Sequence, residues 1–216
     1  MPTEKVHTVL PSDTPIDVSL EKNIVNLQMF TGKTADIMIK RGRVCGNDIA
    51  VVTCEGLIGT NTVANLIYEK LNDLDGRGEL PPAVFVDNLF NVYLIAAGQL
   101  EIKDLGDLCL KLQAGFAVII TNGCSRCAAI GVQGFSSRGI DEPSSENNVR
   151  GSREGFVEVI RTNMGMIRRR IKSPTLVFEM MQLGQRSNTD VCMCYISDKV
   201  SPKLLDNVRR RLKSVK

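Results

Sequence analysis

Three short stretches bring reactive or ligand-forming side chains together: TGKT at 31–34, CSRC at 124–127 and CMC at 192–194. TGKT carries the closing residues of a phosphate-binding loop. That loop needs a glycine five residues before Gly32, where Leu27 stands, and a strand ahead of it, where the pattern gives a helix, so nucleotide binding is not expected. Cys124 and Cys127 have the spacing of zinc ligands, and Cys192 with Cys194 would complete a set of four. Residues three apart on a regular strand face opposite sides, so Cys124 and Cys127 converge only where the chain turns or bulges. Cys192 and Cys194 lie in the unbroken apolar run VCMCYI, which suits a strand buried on both faces, where cysteine acts as a small hydrophobe. A metal site is disfavoured on these grounds, although the spacing of Cys124 and Cys127 leaves it open. His7, the sole histidine, falls in a proline-punctuated tail, which argues against imidazole acid–base chemistry. Asp141 and Glu142 read as solvated loop acids. The expectation is a protein that is not an enzyme and has no cofactor.

The stretch RGSREGFVEVIRTNMGMIRRRIKSP, 150–174, holds the densest charge. Its spacing predicts a helix over about 153–171, with Phe156, Ile160, Met164, Ile167 and Ile171 on one buried face. Glu154 falls in the first turn and Arg168, Arg169 and Arg170 in the last, turned outward. That order complements the helix dipole by about 0.3 to 1 kcal/mol per exposed charge. Ahead of the helix, Gly151 and Gly155 bracket Arg153 and Glu154 in a long polar approach. Glycine there permits a close backbone or ligand contact, and a helix start beside arginines can hold an anion.

These residues need elements to position them. Ser19 reads as the cap of a helix with Leu20, Ile24 and Leu27 on one side and Gly32 as its stop. ADIMIKRGRV and DIAVVTC read as strands joined at CGN, followed by a helix over about 61–74 that buries Val63, Ile67, Leu71 and Leu74. The segment 83–98 fits helix and strand equally. Asp104 caps a helix with Leu105, Leu108 and Leu112 inward, closed by Gly115. FAVII and RCAAIGVQ form a hairpin about TNG. TLVFEMMQLG and TDVCMCYI are strands, and a final helix starts at Ser201 and Pro202 and buries Leu204, Leu205, Val208, Leu212 and Val215. No internal repeat is apparent. The class is α/β, with α+β possible, in two small mixed subdomains: a tail at 1–18, one subdomain at 19–145 and a basic one at 146–216.

Composition narrows the setting. No apolar run approaches the roughly 20 residues that span a bilayer, and no secretory leader precedes the tail. Seven cysteines over 216 residues fit reduced thiols better than a disulfide framework. Residues 1–149 carry 12 basic and 18 acidic side chains, net −6, whereas residues 150–216 carry 15 and 6, net +9. The second part therefore calls for an anionic neighbour. The absence of tryptophan and sparse aromatics argue against a nucleic acid in that role.

The segment SRGIDEPSSENNVRGSREGFVEVIRTNMGMIRRRIKSPTLVFEMMQLGQRSNTDVCMCYI resembles the GerA family of spore-germination proteins, the A-type subunits of nutrient-germinant receptors. The likeness rests on Arg138, Glu142, Pro143, Gly151, Glu154, Gly155, Phe156, Glu158, Thr162, Asn163, Ile167 through Arg170, and Gly184. It is strong over 134–197 and weaker over 20–130 and the last helix. The resemblance implies a cytosolic N-terminal domain on the spore inner membrane that senses amino acids or sugars, or couples that signal to a membrane channel. It implies B-type and C-type receptor subunits as partners and a membrane-spanning half beyond this fragment. The terminal NVRRRLKSVK fits an anionic membrane surface. Arg138, Glu142, Arg150, Arg153, Glu154 and Asn163 are the candidate ligand or interdomain contacts. Locking of the subdomains is favoured over ligand binding, because buried charges persist only when paired. The alternative is an assembly module, possible as a homo-oligomer, with no ligand of its own, as the related stage V sporulation AF branch suggests.

Overall fold

Ser19 accepts a hydrogen bond from the N–H of Lys22 and so caps α1 (Leu20–Phe30), whose inner side is Leu20, Asn23, Ile24 and Leu27. The computed structural model describes residues 11–76, 78–93, 99–134 and 155–214. After α1 the chain forms a hairpin of β1 (Ile37–Val44) and β2 (Asn47–Cys54), turned by Cys45 and Gly46 at φ 49 and 78. A continuous helical stretch follows: α2 (Thr60–Val63), a π-helical segment Ala64–Tyr68 and α3 (Glu69–Asp75). The ambiguous region is helical where described, as α4 (Pro82–Asn88) and a second π-helical segment Leu89–Tyr93, and β3 (Gln99–Ile102) follows it. Residues 94–98 of that region lie outside the described residues. Then come α5 (Leu105–Gln113), β4 (Phe116–Thr121) and β5 (Cys127–Gly131).

The five strands form one sheet in the order β1-β2-β4-β5-β3, antiparallel throughout. Its two faces are covered separately. Ile67, Leu71, Leu74, Phe85 and Leu89 pack on Val51, Ile119 and Ile130. Leu20, Ile24, Leu27, Leu105, Leu108 and Leu112 pack on Ala50, Val52, Val118 and Ile120. This double cover is why IAVVTC and FAVII read as unbroken apolar runs rather than alternating ones. Each fully buried leucine or isoleucine contributes about 1.5 to 3 kcal/mol. The expected stripes of α1, α2–α3 and α5 are all buried. Asp104 caps α5 by accepting from the N–H of Asp107 at 2.7 Å.

The rest of the chain forms α6 (Ile160–Arg170), an antiparallel ribbon of β6 (Leu176–Leu183) and β7 (Thr189–Ile196), and α7 (Pro202–Lys213). Met164, Leu176 and Phe178 are its small core. Contrary to the sequence expectation, helix–hairpin–helix order recurs. α1-β1-β2-α2 and α6-β6-β7-α7 share helices of 11 residues and strands of 8 in their first three elements. Both opening helices are tied to their approach in the same way. The Asn23 side chain bonds the backbone N–H and C=O of Asp17, and that of Asn163 bonds those of Val157. The mixed α/β class holds, in its antiparallel, α+β-like form. Among the described residues no helix is long and apolar enough to cross a membrane.

Several expectations for this part fail. α6 starts at Ile160 rather than about 153, so Phe156 precedes the helix and is 71% exposed instead of lying on its stripe. Ile171 is past the helix end and also exposed, and Ile160 and Ile167 are half-buried. Arg168 is buried rather than turned outward, because it falls four residues after Met164 on the inward side. In α7 no residue is fully buried and Leu204 is exposed; Val215 lies outside the described residues. β7 is only half-covered, and Cys194 faces solvent.

Candidate functional site

The ribbon meets the five-stranded sheet at one junction, and the junction is polar at its centre. The turn after α1 delivers Thr34, Ala35 and Asp36 to the edge of β6, where the N–H of Ala35 donates to Phe178 O at 2.9 Å. The N–H of Phe178 donates to Thr34 Oγ1 at 3.0 Å, and the Thr34 hydroxyl donates onward to Asp36 Oδ1 at 2.5 Å. Asp36 then receives Arg168 from α6: Nε donates to Oδ2 at 2.7 Å and Nη2 to Oδ1 at 3.1 Å. Arg168 also donates from Nη1 to Ser173 O at 2.7 Å and from Nη2 to Leu176 O at 2.8 Å. The guanidinium carbon lies 5.1 Å from the centroid of the Phe178 ring, within cation–π range.

The Arg168 and Asp36 side chains are 2% and 1% exposed, so this pair is a fully desolvated, two-pronged ion pair joining residues 132 apart. Such a pair persists because each charge is matched and its remaining hydrogen-bonding capacity is used. The Cys54 thiol donates to Asp36 Oδ2 at 3.4 Å. Burial, then the Asp36 charge, pushes this thiol well above its ordinary range, and burial holds nearby Cys109 at about 12. Both are therefore protonated and inert as nucleophiles. The adjoining cavity, lined by Thr34, Cys54, Cys109, Gln113 and Arg168, measures about 10 Å³, room for one water and no ligand. The arrangement is a latch.

On one flank of the latch the backbones touch. Gly56, at φ 82, sits where a Cβ would come within 2.8 Å of Gly165 Cα, and a Cβ on Gly165 would lie 2.7 Å from Gly56 O. This contact requires both glycines. Above it, the loop from β2 to α2 faces α6 across a cleft of about 550 Å³ that includes Glu55, Asn61, Thr62, Arg161, Thr162 and Arg169. Arg161 Nη1 donates to Glu55 Oε2 at 2.6 Å. These side chains are 42% and 38% exposed, so their pairing contributes at most about 1 kcal/mol.

Arg138, Glu142, Arg150, Arg153 and Glu154 lie outside the described residues, as do His7 and Asp141. Asn163 is described, and its side-chain oxygen and nitrogen are both engaged by Val157. Sequence reasoning missed Asp36, Glu55, Arg161 and the inward role of Arg168. One signal was available: Ile160, Met164 and Arg168 share a helical face at steps of four. Cys124 and Cys127 are buried, and Cys127 is pushed up to about 12 by burial. Among the described residues no group of three or more His, Cys, Asp or Glu side chains is placed to hold a metal.

A family profile described as Bacillus/Clostridium GerA spore germination protein matches residues 25–216. The chain belongs to the GerA family. It is 32% identical over 204 residues to spore germination protein KA of Bacillus subtilis (strain 168), covering 93% of this chain and 37% of that protein. It is 34% identical over 202 residues to spore germination protein XA of Bacillus anthracis, covering 91% and 40%. Stage V sporulation protein AF of B. subtilis matches at 31% over 184 residues, covering 85% and 37%. The GerA-family chain thus spans about two fifths of the length of these relatives. In fold it is similar to the crystal structure of the N-terminal domain of the A subunit of the Bacillus megaterium spore germinant receptor GerK3. That likeness has a TM-score of 0.73 at 22% identity over 95% of this chain and 75% of that one.

Proposed function

We propose that this GerA-family chain is the N-terminal, non-enzymatic part of a germinant receptor A-type subunit, and that it couples a nutrient signal to a membrane ion-release channel. On this reading residues 19–145 and 146–216 are two subdomains that work as one body on the cytoplasmic side of the spore inner membrane, beside B-type and C-type subunits. The observation that carries the reading is the Asp36–Arg168 latch: a desolvated two-pronged pair ties α6 and the ribbon to the sheet, which suits transmission of movement better than closure on a ligand. A second reading, binding of an amino acid or sugar germinant, is favoured by the polar 550 Å³ cleft beside it.

Spores carrying the full-length subunit separate the two. With subunit levels matched by immunoblot, Asp36→Asn is expected to depress the maximal response to all germinants of the receptor alike, without moving the half-maximal concentration. Glu55→Gln with Arg161→Gln is expected to leave both unchanged. A shift in half-maximal concentration with the cleft substitutions would instead support sensing, and a full response from Asp36→Asn would overturn coupling.

A further inference from the structure

The last helix carries more charge than its packing uses. α7 turns Leu205, Val208, Arg209 and Leu212 toward the ribbon, and these four are half-buried. Arg209 is committed to that side, donating from Nε and Nη2 to Glu179, with Nη2 to Oε2 at 2.7 Å. The opposite side holds Lys203, Arg210 and Arg211, all exposed, whereas Lys213 falls beside Arg209 and acts on Glu179; Asp206 is the only acid of the helix. Asp206 is itself bonded by Arg209 at 3.2 Å. Leu204, 53% exposed, lies one turn and another from Arg211 along the edge of this cationic arc. Arg210 spends a donor on neighbouring Asn207.

We infer that this outer side of α7 docks on an anionic bilayer surface, with phospholipid headgroups against Lys203, Arg210 and Arg211 and Leu204 at the acyl boundary. Charge complementarity selects this occupant. A row of exposed cations is what the negative surface of an anionic leaflet attracts, and the exposed Leu204 at its border adds an apolar contact there. The whole molecule is polarised in the matching sense, net −6 over residues 1–149 and +9 over 150–216. An anionic surface therefore attracts the part bearing α7 and repels the other. Nothing in this inference depends on the latch or the cleft, so it stands or falls apart from the coupling reading.

The test is co-sedimentation of the 216-residue chain with vesicles of phosphatidylcholine alone and of phosphatidylcholine mixed with phosphatidylglycerol, across a sodium chloride series. Binding is expected only with phosphatidylglycerol, weakening steadily with salt. Each basic contact near such a surface is worth about 1 kcal/mol, so joint Lys203→Glu, Arg210→Glu and Arg211→Glu should weaken binding by roughly 100-fold or more. Circular dichroism and the melting temperature should be retained, since none of the three is buried. Leu204→Ser should weaken binding without changing its salt dependence. Lys70→Glu with Lys111→Glu, remote on α3 and α5, should retain binding. Equal binding to neutral vesicles, undiminished binding by the triple variant, or capture by soluble polyglutamate without capture by vesicles would overturn the inference.

Discussion

Breaking the latch from one side should cost far more than its share of the contact. Arg168→Met keeps the approximate length of the side chain but strands the Asp36 carboxylate with only the Thr34 hydroxyl and Cys54 thiol as donors. It also leaves the carbonyls of Ser173 and Leu176 without the guanidinium that they accept from. Asp36→Asn does the converse, leaving a buried cation with two carbonyls and a neutral amide. At 2% and 1% exposure bulk solvent does not reach the pair, so each single change should destabilise by about 3 to 5 kcal/mol. For a chain of this size each kcal/mol lowers the melting temperature by about 2 to 4 °C, giving a fall of about 6 to 20 °C. The double variant removes both charges, and its cost should fall short of the sum of the singles by at least about 1 kcal/mol. Urea unfolding followed by circular dichroism, on the parent and the three variants, gives the cycle. Additive costs, or single costs under about 1 kcal/mol, would refute the claim that this pair fastens the ribbon to the sheet.

Two further perturbations probe the same packing. Gly165→Ala in a free helix would stabilise by about 1 kcal/mol; here the new methyl meets Gly56 O at 2.7 Å, so a loss of about 1 to 3 kcal/mol is expected, and a raised melting temperature would contradict the close approach. The hydrogen bond from Arg209 holds the Glu179 carboxyl below its ordinary value of 4.5. The stability from this pair is therefore complete above that pH and lost as the pH falls through the folded value. The difference in melting temperature between the parent and Glu179→Gln should accordingly be present at neutral pH and vanish in acid; a difference that persists unchanged in acid would rule the pairing out.

What the sequence made legible was whatever a single element decides. The stripes of α1, α2–α3 and α5 and the caps at Ser19, Asp104 and Ser201 follow from local spacing and local hydrogen bonds, and all are found. The failures share one cause, which is tertiary placement. Phe156 has the right interval from Ile160 to join a helical face, yet the Asn163 side chain bonds the backbone of Val157 outside the helix, which begins only at Ile160. Phe156 therefore belongs to the approach, and the interval means nothing there. Arg168 shows the same limit from the other side. Its type argued for solvent and its position for the core, and position wins only because Asp36 waits 132 residues earlier with a matching carboxylate. A buried charge is tolerable only with its partner in place, and a partner that distant leaves no periodic trace. Asp36, in the short polar interval between the α1 stop and β1, looks like an ordinary turn acid until the ribbon is brought against it. The sequence also concealed the recurring helix–hairpin–helix order, because burial reshaped its two copies differently. In the first copy β2 is paired by β1 and β4 and covered on both faces, so it reads as IAVVTC. In the second, β7 pairs with β6 alone and is half-covered. The shared feature that survives is the asparagine at the same place in α1 and α6, each tying down its own approach. That asparagine, rather than the arginine cluster at the end of α6, is the side chain that the two helix–hairpin–helix runs share.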